Sequence, residues 1–141
     1  ASASGYCATA YLRSTQGNLT TMALIKAKTK LAPLKSLTIP RLELCGALLL
    51  SQLLKTLEQL IRDLDIREIY CFSDSTTVLA WISTLPHLLQ TFVSNRVQQI
   101  LSVTQVSWWH HIKGVENPAD VGSRGITPSA LCNHNLWWRG P

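Results

Sequence analysis

The chain has 141 residues, 46% apolar and 15% charged, enough for one domain with a real core and too apolar for a disordered segment. Thirteen Lys and Arg against eight Asp and Glu leave a formal charge of +5, a mild bias toward a polyanionic partner. The longest apolar stretch, "LCGALLLSQLL", is too short to span a bilayer and runs into charged residues, and nothing reads as a signal peptide. The four cysteines, Cys7, Cys45, Cys71 and Cys132, form no CxxC pair, and two sit in apolar runs. They read as reduced thiols buried in a non-secreted protein. A start at "ASASGY" and a stop at "WWRGP" lead us to expect a piece of a longer polypeptide.

In chain order, residues 6–13 ("YCATAYLR") read as a strand, and Gly17 with Asn18 as a turn. Residues 19–32 alternate well enough for a long second strand, closing a hairpin. "SLTI" at 36–39 predicts a short third strand. Pro40 suits the first turn of a helix, predicted over 40–64, with Lys55, Glu58, Gln59 and Arg62 on its wet face. "EIYCF" at 68–72 is apolar on both faces, as central parallel strands are. Helices are predicted over 75–83 and 92–103, a strand over 106–112 ("VSWWHHI"), and a last short helix over 117–124, with Asn117 as cap and Pro118 at its first position. A hairpin followed by strands joined through helices implies a mixed α/β sheet with helices packed on it.

Three carboxylates stand out. Glu43 falls in the first turn of the long predicted helix, where it would complement the dipole. Asp74 could cap the helix behind it. Asp120, three residues after Asn117, occupies a capping-box-like position. Each therefore has a local structural explanation. Two observations favour chemistry instead. Glu43 lies roughly 110° from the centre of its helix's wet face, at about 100° per residue, and its neighbours Gly46 and Ala47 leave room for something bulky. Asp74 ends a buried parallel strand, where ligand sites of α/β sheets concentrate. Three carboxylates converging from three elements would repel one another, and a divalent cation would reconcile them. Hard oxygen donors suit Mg²⁺ or Mn²⁺, and in a basic protein the expected chemistry is phosphodiester hydrolysis with two metals.

The segments "ASASGYCATAYLR", "LTIPRLELCGALL", "YCFSDSTTVLAWI", "FVSNRVQQI" and "HHIKGVENPADVGSRG", in that order, resemble the ribonuclease H domain of BEL/Pao-type LTR retrotransposon polyproteins. The resemblance spans nearly the whole chain and implies an RNase H-like fold, a five-stranded mixed sheet of order 3-2-1-4-5 flanked by helices. It implies endonucleolytic cleavage of the RNA strand of RNA–DNA hybrids during reverse transcription, with two Mg²⁺ or Mn²⁺ held by carboxylates matching Glu43, Asp74 and Asp120. It implies an RNase H-like domain over 1–126 and, since "LWWRGP" is similar to the segment leading toward integrase, a connecting segment over 127–141. The implied partners are the hybrid and the reverse transcriptase and integrase domains of the same polyprotein, with no membrane. The implied setting is intracellular, a cytoplasmic virus-like particle or the nucleus.

Two departures matter. The first catalytic residue of that family is the Asp of a "DAS" motif. Here Ala1 and Ser2 match the rest of the motif, and the Asp would fall immediately before residue 1. A fragment boundary is the expectation, with a chain inactive alone until that Asp is restored. The loop "KGVENPAD" is short and carries no histidine, and His110 and His111 lie earlier on a strand, pointing to opposite faces. Softer nucleic-acid-binding candidates are Ser75 and Thr76 after Asp74, Asn95 and Arg96 in "VSNRV", and Lys26 and Lys28, which with Lys30 share one face of the second strand. The competing readings are a catalytically inactive RNase H-like connector of the polyprotein, and a different nuclease on the same superfold.

Overall fold

A computed structural model describes residues 1–141. The chain opens with a long hairpin, β1 (Gly5–Gln16) and β2 (Leu19–Leu31), paired antiparallel from Gly5↔Leu31 to Gln16↔Leu19. Its two-residue turn places Gly17 at φ 61°, the left-handed conformation that such turns demand. A bulge opposite Ala10 and Tyr11 interrupts the register. Helix α1 (Ile39–Thr56) follows, then α2 (Glu58–Asp63), strand β3 (Cys71–Ser73), α3 (Thr76–Ile82) and α4 (Thr91–Leu101). Strand β4 (Trp109–His111) pairs parallel with β3. Three short helices close the chain: α5 (Ala119–Arg124), α6 (Pro128–Cys132) and α7 (Asn135–Arg139).

The protein is mixed α/β, but the expected five-stranded sheet is not formed. Two separate two-stranded sheets stand in its place, β1-β2 and β3-β4, with no ladder between β1 and β3. The predicted third strand, "SLTI", is used otherwise: the Thr38 hydroxyl accepts the Arg41 N–H and caps α1, so this segment serves as the entry to a helix. The strand predicted over 68–72 shrinks to three residues, and Val106–Trp108 is a 3₁₀ turn. The helix predicted over 40–64 breaks at Leu57, whose N–H turns back to Leu54 O. At that break Thr56 Oγ1 donates to the Leu53 carbonyl at 2.6 Å, and such back-bonding hydroxyls bend helices.

The core lies where α1, α3 and α4 cover one face of β3 and β4. Leu44 and Ala47 of α1 meet Cys71, Val78, Ile82, Val93, Val97, Ile100 and Trp109. Trp109 resolves the pair "WW": its indole is buried and donates to Thr104 Oγ1 at 2.9 Å, while Trp108 is only half-buried. No buried side-chain polar atom lacks a partner. The room that Gly46 leaves beside Glu43 is taken by the hairpin, since its position abuts Tyr6 and Cys7. On the opposite face of the hairpin, α5 packs so closely at Gly122 that a methyl there would overlap Cys7 Sγ.

Cys7, Cys45 and Cys71 are buried free thiols as expected, whereas Cys132 is exposed on the short terminal helix α6. Burial pushes the Cys71 thiol up to about 12, from an ordinary value of 9.0. The unfolded chain ionises this thiol near its ordinary value and the folded chain does not. Stability from the neutral thiol is therefore full below pH 9 and lost as pH rises toward 12. The thermal midpoint should fall across that window, and Cys71→Ala should make the fall shallower, as pH-resolved melts will show.

Candidate cation and nucleic-acid site

The stretch "FSDST" resolves its own ambiguity in space. Ser75, not Asp74, is the N-cap of α3: its hydroxyl accepts the Val78 N–H at 3.2 Å, and Ser73 Oγ accepts the Ser75 N–H at 3.1 Å. Asp74 is thus free of capping duty at the carboxyl end of β3. Glu43 loses its local explanation as well. Because α1 begins at Ile39, Glu43 sits beyond the first turn, where the dipole effect has faded. Asp120 keeps part of its own. It lies in the first turn of α5, and Arg124 Nε donates to its Oδ1 at 2.9 Å. The capping box does not form, since the Asn117 N–H bonds Gly114 O instead.

All three carboxylates line one open cavity of about 600 Å³. Ala1–Ala3, Gly114 and Arg124 share its wall. The chain start is fixed there by Ser2 Oγ, which donates to the Ser123 carbonyl at 2.7 Å. Asp74 Oδ2 accepts the Asn117 side-chain amide at 3.2 Å. No group of three or more His, Cys, Asp or Glu side chains is drawn close enough to hold a metal ion as the side chains stand. The acids therefore share a cavity without yet forming a coordination sphere. As a donor set, three carboxylates with Glu43 unpaired and one oxygen of Asp74 and of Asp120 free of protein partners suit a hard divalent cation.

The softer candidates separate. Ser75 is buried at 6% exposure and committed to its cap, whereas Thr76 and Asn95 are exposed. Lys26 donates to Thr56 Oγ1 at the end of α1, and Lys28 and Lys30 lie opposite Ala8 and Tyr6 on β1. None of the three lines the cavity. His110 instead packs against Tyr70 and Phe72, ring centroids 5.9 and 5.8 Å away, and is likewise absent from the cavity wall. Arg96 stacks on Phe92 at 3.5 Å, and the same ring receives Arg41 at 4.8 Å. Arg41 also donates to Gln90 Oε1 at 3.2 Å, and neither guanidinium meets a carboxylate. Sequence reasoning missed Arg41 and Arg124. Arg124 had a readable signal in its i,i+4 spacing from Asp120, whereas Arg41 is joined to Arg96 only through tertiary packing on Phe92.

A mixed α/β chain thus brings carboxylates from α1, from the end of β3 and from α5 to one cavity. The model of the Pao retrotransposon-like RNaseH-like domain matches residues 1–75, and the chain belongs to that family. Glu43 and Asp74 fall inside the matched span, while Asn117, Asp120 and Arg124 lie beyond it. No curated protein and no solved structure matches the chain.

Proposed function

We propose that this is the ribonuclease H module of a Pao-type retrotransposon polyprotein, hydrolysing the RNA strand of RNA–DNA hybrids during reverse transcription. The observation that carries the reading is the shared cavity of Glu43, Asp74 and Asp120, in a chain of that family. These residues would hold Mg²⁺ or Mn²⁺, which when bound supplies an activated water and charge stabilisation at the phosphoryl group. Glu43 and Asp74 offer carboxylate oxygens free of protein donors, and Arg124 Nε donates to Asp120 Oδ1 at 2.9 Å, leaving its other oxygen free. Ala1–Ala3 border the cavity, so a residue added before Ala1 would start from its wall. Helix α1 packs on β1 and contributes Leu44 and Ala47 to the β3–β4 core, so it joins the two sheets by side-chain packing. The same reading makes 127–141 a connection toward integrase, and reverse transcriptase and integrase the neighbouring domains.

The arginine pair supports a nucleic-acid partner. Two guanidinium groups on one ring without a carboxylate invite a phosphate backbone. Replacing both Arg41 and Arg96 by Ala should weaken hybrid binding and make log K against log salt shallower by about two, one for each phosphate no longer neutralised. Fluorescence anisotropy at several salt concentrations measures this.

The test of function is cleavage of a labelled hybrid in Mg²⁺ and in Mn²⁺ by the chain as it stands and by the chain extended with an N-terminal Asp and a few upstream residues. Cleavage by the extended chain alone supports the enzyme with a missing first ligand. The spread of the acids, and Arg124 on Asp120, favour the second reading, a connector without catalysis. Under that reading the extended chain folds, binds hybrid and cuts nothing.

A further inference from the structure

Asn117 makes two bonds from one side chain. Its Oδ1 accepts the Ala119 N–H at 3.0 Å, at the start of the helix that carries Asp120. Its Nδ2 donates to Asp74 Oδ2 at 3.2 Å, at the end of β3. The two acids come from positions 46 residues apart in the sequence, and the side chain joins their supporting elements directly. Asn117 is itself held: it is half-buried, its backbone is extended ahead of Pro118, and its N–H is bonded to Gly114 O at 3.1 Å. The turn from Gly114 to Asn117 brings its glycine to the same carboxylate, a Cβ there lying 3.7 Å from Asp74 Oδ2.

A neutral amide is the group suited to this place. It donates to a carboxylate without adding charge, it occupies one oxygen and leaves the other free, and its opposite end accepts the Ala119 N–H at which α5 begins. Arginine or lysine here would compete with a cation for Asp74, and an aliphatic residue would leave the carboxylate free to rotate. We propose that Asn117 is a positioning residue for the cation site, setting the Asp74 carboxylate in register with the helix that presents Asp120. This rests on the reading of those acids as cation ligands.

The test uses the whole chain and Mn²⁺ alone, with free Mn²⁺ followed by electron paramagnetic resonance. Asn117→Ser keeps an acceptor for the Ala119 N–H but cannot reach Asp74, and Asn117→Ala loses both links. Outer-shell partners of this kind change metal affinity roughly 10- to 100-fold, and both variants should weaken Mn²⁺ binding within that range. A capping role alone predicts that Asn117→Ser binds like wild type, and that result overturns the proposal while leaving the site intact. Absence of Mn²⁺ binding by the wild-type chain, indistinguishable from Asp74→Asn, overturns the cation site and the proposal together. A measurement free of any folding defect is the Asn117 side-chain amide resonance of the wild-type chain under Mg²⁺ titration. It should shift in step with binding, and a stationary resonance while Mg²⁺ binds refutes the coupling.

Discussion

Asp74→Asn, placed in the chain extended with an added N-terminal Asp, should abolish hybrid cleavage and leave the fold standing. The loss should be on the order of a hundredfold or more, the scale seen when a group fixed at developing charge is removed. The thermal midpoint should scarcely move, because Asp74 caps nothing and the Asn117 amide can still donate to the asparagine Oδ1. Ser75→Ala, one residue on, should do the reverse. It removes the acceptor for the Val78 N–H at the start of α3 and should cost about 1 kcal/mol of stability, with cleavage reduced far less. Rates on a labelled hybrid and melts of both variants check the pair. If Asp74→Asn also unfolds the chain, the carboxylate is structural after all.

Gly122→Ala should be strongly disruptive for so small a substitution. The added methyl would overlap Cys7 Sγ and come within 3.0 Å of Cys7 Cβ and 3.2 Å of Thr29 Oγ1. Neither residue can yield easily, since Cys7 and Thr29 are paired across the hairpin. Overpacking of this kind costs roughly 1–3 kcal/mol. It should also move α5 away from the hairpin, carrying Asp120 with it, so that cation affinity falls along with the melting point. Cys7→Ala in the same chain removes the worst overlap and should restore part of both. A double-mutant cycle on melting temperature and Mn²⁺ affinity separates this coupling from two independent losses.

The local signals in the sequence were strong where one element decides the outcome. Period-2 alternation over 19–32 and the Gly17 turn located the hairpin, and Pro40 located the start of α1. Glu43, Asp74 and Asp120 stood out by position, and the structure brings them to one cavity. What failed depended on competition between neighbours. "SLTI" has strand chemistry, but Thr38 serves the helix behind it as a cap. The predicted helix to Leu64 has no proline or glycine near Leu57 to mark the break there, and Thr56 back-bonds to the Leu53 carbonyl just before it. Arg41 and Arg96, 55 residues apart in the sequence, meet on Phe92 only once α1 and α4 have packed.

The missing ladder between the two sheets has a mechanical consequence. Asp74 rides on β3, whereas Asp120 rides on α5, which is seated on the hairpin. The span between them is set by interdigitated side chains, chiefly those of α1, and by the amide of Asn117. A row of backbone hydrogen bonds resists sliding and opening in fixed steps, whereas a packed seam deforms by small side-chain adjustments. The mouth of the cavity is therefore held across packed side chains and one amide, with no strand pairing bridging its two sides.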